Sequence, residues 1–403
     1  MEETVTTPLK PVDAARDQEQ RIALRAWAKN GYRGSVIAGT GFGKSRVGIM
    51  AIGEMLRLHE GRGLVLVPTT QLQDQFATQF HAWGYSDVLD RVDILCYQTA
   101  YKLFDQTWTV TVADEVHLGL SPMYRAIFEK NTHERLLCMT ATLPEEDEYR
   151  TLLVNIAQPV YTITLDQCVA RGFVAPYRLS CIAVQLTDEE LAKYKKANNL
   201  FVYYKLQLGQ FDAFNEANRI LGSSSATPEQ KKNATLFYSA IRQRKEIVQH
   251  AQSKIEVTKQ LLLKFPEKKA LTFAGTNNFT DLINKTLQES DIDSDRYHSL
   301  MKAKERREAL ERFKQGSTRV LCSTKALNQG FDVPDAQLGI ICGLDSKALQ
   351  MIQRVGRLVR FAPNKIGEII VLYVADSQEE VWLKNAVRNL SNVEWIDHVD
   401  SYI

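Results

Sequence analysis

The sequence predicts an α/β protein with two lobes, each built on a parallel sheet, and a helical insertion between them. In both halves of the chain, short apolar runs typical of strands buried on both faces alternate with helix-like stretches. Between these halves the pattern is helical only. The 403 residues are too many for one ordinary core. We therefore expect a first lobe at 1–157, a linker at 158–187, a helical insertion at 188–265 and a second lobe at 266–403.

The composition is that of a soluble globular protein, with 44% hydrophobic and 24% charged residues. The net charge is only +2, so any affinity for nucleic acid must come from local clusters of Lys and Arg. The six cysteines form no C-x-x-C pair, which favours buried free thiols in a reducing cytosol over a metal site. No run approaches the ~18 apolar residues that a membrane span requires. We expect a soluble cytoplasmic protein without a membrane partner.

A glycine-rich stretch at residues 38–45, AGTGFGKS, joins a strand-like run to a helix-like run. In such a loop the backbone N–H groups turn inward on an anion, and the following helix adds the positive end of its dipole. Lys44 would reach the β- and γ-phosphates, and the Ser45 hydroxyl would ligate Mg²⁺. The alternative, a glycine-rich turn with an unrelated lysine, is disfavoured by the acidic motif downstream. The loop residues expected to contact the nucleotide are Gly39, Thr40, Gly41, Gly43, Lys44 and Ser45.

The acidic motif is Asp114-Glu115, which follows the strand-like run 108–113 directly. At the tip of a strand, Asp114 would hold Mg²⁺ through its water shell. Glu115 would orient and deprotonate the water that attacks the γ-phosphate. Asp-Glu is also an ordinary helix-start signal, but its position immediately after a strand favours catalysis.

A basic motif in the second half, QRVGRLVR at residues 353–360, is the counterpart of the loop. If it is helical, Gln353, Arg357 and Arg360 lie on one face at three- and four-residue steps. A basic exposed helix is the alternative, but it would have little reason to place Gln and Gly at those steps. Arginines that reach the γ-phosphate neutralise charge in the transition state and are worth about 10³- to 10⁵-fold in rate.

Together these motifs resemble those of the superfamily 2 helicases, whose two lobes are RecA-like. The loop departs from the strict phosphate-loop pattern only at Ala38, as a variant in this superfamily does, and residues 114–117 look like its DExH box. The resemblance spans most of the chain, with the motifs in the expected order. It implies that ATP and Mg²⁺ are bound and that the arginines face the γ-phosphate held by Lys44.

Further site residues are implied by the resemblance alone. Gln20, with Gln18 as the alternative, resembles the glutamine that senses adenine ahead of the loop. His117 would relay the nucleotide state to the coupling motif that contains Thr140 and Thr142. The residues implied at the nucleic-acid backbone are Thr69, Thr99 and Thr324, and those implied near the nucleotide and its ribose are Gly330 and Asp332.

The segment from 164 to 177 looks like the linker of the XPB-like group, which includes phage branch-migration helicases. Together with the DExH box and with Gln353, where the DEAD-box RNA pattern has His, it favours DNA over RNA. We expect an ATP-dependent DNA helicase or translocase, with single-stranded, forked or branched recombination, replication or repair intermediates as its substrates. An RNA helicase and a motor subunit that does not separate strands are the alternatives. The oligomeric state is open, and a monomer is compatible with the sequence.

The helical insertion interleaves aromatic residues with lysines, which allows two interpretations. Phosphate neutralisation and base stacking use these residue types, so the stretch could be a nucleic-acid face. It could equally be a solvated face over an aromatic helix core. The residues concerned are Tyr194, Phe201, Tyr203 and Tyr204 with Lys193, Lys195, Lys196 and Lys205.

Farther along the insertion, apolar residues recur at every seventh position. They are Ile241, Val248, Ile255 and Leu262. This period predicts one helical seam that packs against another helix. The preceding helix is the expected partner.

Overall fold

A computed structural model of the chain divides into two compact units, Met1–Ala175 and Pro176–Ile403, which we call the first and the second lobe. Each lobe carries its own parallel sheet and its own apolar cores, which confirms the predicted α/β class. The residues that the structure describes are 13–39, 41–144, 146–174, 176–209, 212–324, 336–345, 348, 351–352, 355, 367–388, 390 and 392–402.

The first lobe is organised around a six-stranded parallel sheet in the order β3-β2-β5-β7-β1-β8, with β4 and β6 paired separately. Alternate residues of the strands enter two apolar clusters, one on each face. The helices are α1 (Ala14–Lys29), α2 (Lys44–Leu58), α3 (Thr70–Ala82), α4 (Tyr97–Ala100), α5 (Ala126–Glu129), α6 (Asp147–Ala157) and α7 (Leu165–Ala170). The strands are β1 (Arg33–Ala38), β2 (Gly63–Val67), β3 (Val92–Cys96), β4 (Thr107–Trp108), β5 (Val110–Ala113), β6 (Thr132–His133), β7 (Leu136–Thr140) and β8 (Pro159–Ile163).

Three neighbouring strands of this sheet end at motifs singled out by the sequence. β1 leads into the glycine-rich loop, β7 ends at Thr140, and β5 ends just before Asp114. β7 lies between the other two, pairing Ile37 with Thr140 and Ala113 with Cys138. In parallel sheets the carboxyl ends of the strands share one edge, where α/β folds bind ligands. The strand order therefore gathers all three motifs at one edge.

Helix α2 packs closely on this part of the sheet because position 48 is glycine. A β-carbon on Gly48 would lie 2.8 Å from Cγ1 of Val112 in β5 and 3.0 Å from Cε of Met139 in β7. Carbon atoms pack at about 3.5–4.0 Å, so a larger residue would push the helix outward. The close packing therefore fixes the start of α2 relative to the acidic motif.

The second lobe contains a seven-stranded parallel sheet in the order β11-β12-β10-β13-β14-β9-β15. Its strands are β9 (Tyr177–Val184), β10 (Ala270–Phe273), β11 (Ser294–Tyr297), β12 (Val320–Ser323), β13 (Leu338–Ile341), β14 (Gly367–Val374) and β15 (Val393–Ile396). Its helices are α8 (Asp188–Gln207), α9 (Ala213–Gly222), α10 (Pro228–Gln249), α11 (Gln252–Lys264), α12 (Asn277–Gln288), α13 (Ala303–Gln315) and α14 (Gln378–Val387).

Helices α8, α9 and α10 form the insertion and share a separate apolar cluster. Within it the Phe201 ring of α8 stacks on the Phe237 ring of α10, with centroids 5.6 Å apart. Thr187 and Thr227 begin α8 and α10 as capping boxes, in which the threonine hydroxyl accepts the N–H of the third helical residue. The insertion therefore has its own start signals and its own core.

The structure differs from the expected linker at both of its ends. β8 pairs with β1 in the first sheet, and β9 lies between β14 and β15 in the second. Pro159 opens the edge strand β8 and Pro176 directly precedes β9, positions where proline is tolerated. The chain outside both sheets is therefore shortened to about residues 164–176.

The apolar residues that recur at every seventh position lie on two helices, not on the single helix that their spacing predicted. The chain turns at His250 and Ala251, between α10 and α11. Val248, Ile255 and Leu262 enter the core of the second-lobe sheet, so α11 covers this sheet and is not part of the insertion. Ile241 alone packs against the insertion cluster.

All six cysteines are buried free thiols, as predicted. Burial raises the pKa of the Cys138 thiol in the first lobe to about 12, and it does the same for Cys322 in the second. Both thiols stay protonated at neutral pH and act as apolar core groups. None of the described helices combines the length and the apolar composition needed to cross a membrane.

A fully buried ion pair ties α11 to α14 in the second lobe. Nζ of Lys254 lies 2.8 and 2.7 Å from the two carboxylate oxygens of Glu379, and both side chains have no exposed surface. The carboxylate also accepts backbone N–H groups of Leu344 and Val374. The pair is therefore desolvated, and both carboxylate oxygens accept hydrogen bonds from the ammonium group and from backbone N–H groups.

We expect Lys254→Met to destabilise the second lobe by about 3–5 kcal/mol, because it leaves the Glu379 charge buried without its cation. Hydrogen exchange of the β14 amides measures this loss. The matched control is Lys384→Met on α14, which removes a partly exposed pair with Glu380, in which the lysine side chain is 61% exposed, and should cost less than about 1 kcal/mol. Equal effects of the two substitutions would contradict the prediction.

Candidate nucleotide site and nucleic-acid interface

The glycine-rich loop connects β1 to α2 in a conformation that needs its glycines. Gly41 and Gly43 have φ of 87° and 89°, in the left-handed region that side chains disfavour. Gly39 lies against another segment: a β-carbon there would be 2.9 Å from the backbone N and Cα of Leu165. The loop is thus shaped by close backbone approach and by positive φ, as phosphate-binding loops require.

The start of α2 offers a site for an anion. The N-cap residue of this 15-residue helix is Gly43, which has no side chain and so forms no capping hydrogen bond with the first N–H groups. Lys44 is buried at the same end, and its Nζ donates a hydrogen bond to the Ala38 carbonyl at 2.9 Å. Ser45 lies in the first turn, half-buried. This donor set fits a polyphosphate.

Two side chains anchor the loop at Phe42. Its ring is completely buried and stacks on Tyr161 of β8, with centroids 5.7 Å apart. Its carbonyl accepts a hydrogen bond of 2.7 Å from Nε2 of Gln20. The glutamine predicted to sense adenine therefore contacts the loop backbone in this structure.

The acidic motif is held firmly at the end of β5. The Asp114 N–H donates to the Leu66 carbonyl of β2 at 2.9 Å, and the Asp114 carbonyl accepts the Tyr97 hydroxyl at 2.9 Å. Burial raises the pKa of Tyr97 well above its ordinary value, so this hydroxyl remains a donor. Asp114 Oδ1 also accepts the Glu115 N–H at 3.1 Å. The backbone around both carboxylates is therefore fixed from two sides.

Glu115 has an unusual backbone conformation for a residue with a side chain. Its φ and ψ are 46° and 51°, in the left-handed region. Such a conformation costs about 1–3 kcal/mol and persists where the surrounding structure enforces it. Here it lies between β5 and the 3₁₀ turn Val116–Leu118. The strain coincides with the residue predicted to activate water.

His117 connects the acidic motif to the coupling motif. Its Nδ1 lies 3.5 Å from Oε2 of Glu115 and 3.3 Å from Oγ1 of Thr140. The Thr140 hydroxyl in turn donates to the Thr142 carbonyl at 3.1 Å. These contacts form one path from the predicted base to the end of β7.

Two of the predicted nucleic-acid contacts follow neighbouring strands. Thr69 comes after β2 and is the N-cap of α3, and Thr99 is exposed on α4 after β3. The side-chain amide of Gln98 donates to the Pro68 carbonyl at 3.3 Å, which ties the two segments together. Oγ1 of Thr69 is buried and finds no hydrogen-bond partner among the described residues. A buried hydroxyl without a partner is costly.

The second lobe contributes fewer described site residues. Thr324 directly follows β12 and is buried. The other predicted residues lie outside the described residues; they are Gln353, Arg357, Arg360, Gly330 and Asp332, and the same holds for Thr40 in the loop.

Three residues of the site were missed by sequence reasoning. Arg46 and Asp17 form hydrogen bonds that reach Gln20, and Tyr97 supports Asp114. Arg46 directly follows the loop, which is a usable sequence signal. Tyr97 carries none, because its bond depends on the order of β3, β2 and β5 in the sheet.

A metal at this site needs ligands from its substrate. In the part of the chain that the structure describes, no group of three or more His, Cys, Asp or Glu side chains could hold a metal ion. Mg²⁺ is usually held by one or two protein side chains together with substrate phosphates and water. Ser45 and Asp114 fit that smaller role, since β1, which leads into the loop before Ser45, and β5, which ends just before Asp114, are separated only by β7.

Two family profiles match the chain. Residues 14–145 match the family described as type III restriction enzyme, res subunit. Residues 253–362 match the helicase conserved C-terminal domain, which includes the basic motif. The second match begins in α11, consistent with the packing of α11 on the second-lobe sheet.

The chain is similar to two curated relatives over most of its length. It is 26% identical over 364 residues to the DNA 3'-5' translocase XPB2 of Sulfurisphaera tokodaii. The aligned region covers 85% of this chain and 77% of that protein. It is 24% identical over 383 residues to the DNA 3'-5' helicase XPB of Mycobacterium tuberculosis. This aligned region covers 89% of this chain and 60% of that protein. The chain therefore spans only three fifths of the second relative.

Among solved structures, the helicase domain of Pyrococcus furiosus Hef has a similar fold. The TM-score is 0.59 at 16% identity, and the match covers 92% of this chain and 99% of that one. This likeness concerns the fold, and it confirms the predicted pair of RecA-like lobes.

Proposed function

The chain is an ATP-dependent helicase of superfamily 2, in its XPB-like group, and from this premise we propose that it moves along or remodels DNA. The observation that carries the proposal is the meeting of three motifs on adjacent strands of the first lobe. The glycine-rich loop, the Thr140 end of β7 and the Asp114-Glu115 pair share one sheet edge. This arrangement couples phosphate binding to water activation.

In the proposed site the α2 N-terminus and Lys44 hold the β- and γ-phosphates of ATP. Ser45 and Asp114 hold Mg²⁺, which neutralises phosphate charge when it is bound. Glu115 orients the attacking water and accepts its proton. The contact of His117 with both Glu115 and Thr140 supports a role in transmitting the nucleotide state.

DNA is the proposed partner because both relatives described above are named as acting on DNA. Thr69 and Thr99 would contact the sugar-phosphate backbone from the carboxyl edge of the first sheet. Thr69 is the N-cap residue of α3 and its side chain makes no capping hydrogen bond to that helix, which supports this placement. Forked or branched DNA is the finer proposal, and it rests on the linker resemblance.

The experiment that tests the proposal compares ATP hydrolysis without nucleic acid and with single-stranded, duplex, forked and four-way DNA and RNA. We expect DNA to stimulate hydrolysis more than RNA, with the forked and four-way forms strongest. Stimulation by RNA that equals or exceeds that by DNA would overturn the choice of DNA. Equal stimulation by all DNA forms would remove only the finer proposal.

A second candidate function is translocation without strand separation. The first of the two relatives is named as a translocase rather than a helicase, which favours this possibility. Strand displacement by the isolated protein separates the two. A translocase hydrolyses ATP on DNA without releasing a labelled strand, whereas a helicase releases it.

Thr69→Val is expected to weaken DNA binding about 2- to 10-fold, because one hydrogen bond to the backbone is lost while the side-chain shape is kept. Fluorescence anisotropy of a labelled oligonucleotide measures this change. The matched control is Thr78→Val on the same helix. The Thr78 hydroxyl is exposed and donates a hydrogen bond to the Asp74 carbonyl. Unchanged affinity in Thr69→Val would remove Thr69 from the interface.

Fewer residues of the insertion are available to contact DNA than its composition suggests. Tyr194 is buried in the core of the second-lobe sheet, and Phe201 and Tyr204 are half-buried against the insertion cluster, whereas Tyr203 is 56% exposed. Lys195 and Lys196 are exposed. We propose that these lysines, with Lys205, approach DNA phosphates.

Replacing Lys195, Lys196 and Lys205 together by Gln should weaken DNA binding and flatten its salt dependence. Each lost phosphate contact lowers the slope of log K against log salt by about 0.7–0.9. The control replaces three lysines of the second lobe, Lys302, Lys304 and Lys314, and should leave the slope unchanged. An unchanged slope in the insertion variant would remove the proposed face.

A further inference from the structure

Helix α10 ends inside the second lobe at a glutamine whose side-chain amide binds one backbone carbonyl. Gln249 is 4% exposed, and its Nε2 donates to the Leu344 carbonyl at 2.7 Å in a buried hydrogen bond. The helix is packed at two places along its length, because Ala240 lies in the insertion cluster and Val248 lies in the core of the second-lobe sheet. The position of Gln249 is therefore fixed by both cores.

Two glycines bring three segments of the chain together at this amide. A β-carbon on Gly275, beyond the end of β10, would lie 2.9 Å from Cδ of Gln249, so the amide rests on the glycine backbone. A β-carbon on Gly343, beyond the end of β13, would lie 2.4 Å from the backbone N of Gly275. Both distances are shorter than ordinary carbon contacts. The amide and the chain after β10 and after β13 are therefore in close contact.

Leu344 is held at both of its backbone polar groups by side chains. Its carbonyl accepts the Gln249 amide, and its N–H donates to Oε1 of Glu379 at 3.3 Å. Glu379 is itself fixed by the buried ion pair with Lys254. The Leu344 side chain is 1% exposed and lies in an apolar core of the same lobe. The chain is therefore fixed at this residue by groups from α10, α11 and α14.

The stretch of chain that begins at Leu344 leads into the basic motif. The Ala348 N–H donates to the Asp345 carbonyl at 3.0 Å, which begins a turn. Arg357 and Arg360 follow farther along the same stretch of sequence. Between them and Leu344, the described residues that share its apolar core recur at the spacing of one helix face. They are Ala348, Met351, Ile352 and Val355. The place where Leu344 is held therefore determines where this stretch starts.

From these contacts we infer that Gln249 is a positioning residue for the basic motif and acts by holding the Leu344 carbonyl. The inference rests on the proposed function, in which the resemblance places the guanidinium groups of Arg357 and Arg360 at the γ-phosphate. Without the amide, the buried carbonyl loses its donor and the start of the stretch shifts. A misplacement of about 1 Å that arises far from the chemistry can cost about 10²-fold in rate. Gln249 thus affects turnover through the arginines.

The test compares the parent with Gln249→Met, which keeps the length of the side chain but removes the donor. We expect single-turnover ATP hydrolysis at saturating DNA to fall about 10- to 100-fold, because the arginines are misplaced, and ADP affinity to stay within about twofold. Gln249→Asn keeps the amide on a shorter side chain and should fall between. The matched control is Gln288→Met on α12. The Gln288 amide also donates to a backbone carbonyl, that of Ser294 at 2.9 Å, beside the edge strand β11, and its loss should leave hydrolysis within about twofold of the parent.

A double-mutant cycle separates positioning from general damage to the lobe. In a chain that already carries Arg357→Ala and Arg360→Ala, Gln249→Met should cause no further loss of hydrolysis, because the groups that it positions are gone. A further loss as large as that in the parent would overturn the inference, since Gln249 would then act by another route. Parent turnover in Gln249→Met alone would overturn it as well.

Thermal unfolding and hydrogen exchange of the β14 amides report whether each variant folds. If Gln249→Met does not fold, Gln249→Asn decides the question, and parent turnover in that variant would overturn the inference. Failure of the proposed function gives a different result. Parent turnover in the double arginine variant would remove the role of the arginines and this inference with it, whereas lost turnover there beside parent turnover in Gln249→Met would count against Gln249 alone.

Discussion

Glu115→Gln is expected to lower DNA-stimulated ATP hydrolysis by about 10²- to 10⁴-fold, the range for losing a positioned general base. The amide has the shape of the carboxylate but cannot take the proton of the attacking water. Glu115 is held in a left-handed conformation two residues after the end of β5, with its carboxylate 3.5 Å from Nδ1 of His117. Steady-state phosphate release at saturating DNA measures the effect.

The contrast with two other substitutions makes this result specific. Lys44→Ala should lose nucleotide binding together with hydrolysis, whereas Glu115→Gln should keep binding, because it does not alter the phosphate cradle. Glu134→Gln, at an exposed carboxylate paired with Arg135, should hydrolyse ATP within about twofold of the parent. Hydrolysis at the parent rate by Glu115→Gln would refute its assignment as the base.

The nucleotide loop could be predicted from sequence because its requirements are local. Gly41 and Gly43 adopt positive φ, which only glycine does freely, and Lys44 begins the helix that follows. The strands on either side were recognisable for a similar reason. A run such as 136–140 is apolar at nearly every position, as expected for a strand buried on both faces.

The strand order could not be read from the same pattern. Nothing in residues 136–140 says that β7 lies between β1 and β5, because a buried apolar strand fits any interior position of a sheet. The pairing of Ile37 with Thr140 is a contact between distant parts of the chain. The grouping of the site therefore came from the resemblance, and the residue-level contacts came from the structure.

The surroundings of Gln20 show where sequence reasoning stops. A glutamine that faces a nucleotide and one that is buried on a loop occupy the same place in a helical pattern. In this structure Arg46 donates a hydrogen bond to its carbonyl oxygen, and the glycine at position 43 leaves room for the amide. Such a contact depends on packing between α1 and α2 rather than on local propensity.

The prediction of a single helical seam from the seven-residue period was wrong for a related reason. Val248 and Ile255 continue the same spacing across the turn between α10 and α11. An apolar stripe has the same period whether it meets another helix or a sheet. The sequence therefore predicted the buried positions correctly but not the partner on which they pack.

The double substitution of Arg357 and Arg360 by Ala is expected to lower DNA-stimulated ATP turnover by about 10³- to 10⁵-fold. We propose that both guanidinium groups contact the γ-phosphate and neutralise the charge that develops as it is transferred. This stabilisation arises in the transition state, so affinity for ADP should change far less than turnover. Single-turnover hydrolysis, measured beside ADP binding, separates the two effects.

The geometry of the donor decides between this role and simple positive charge. Arg357→Lys and Arg360→Lys keep the charge but lose the planar fork, so each should recover only a small part of the rate. Arg354→Ala is the charge-matched control: if the segment is helical, at about 100° per residue, position 354 lies roughly 60° around the helix from 357 and roughly 120° from 360. Equal losses at 354 and at 357 would mean that the basic motif acts through its summed charge, and turnover at the parent rate in the double variant would exclude these arginines from the reaction.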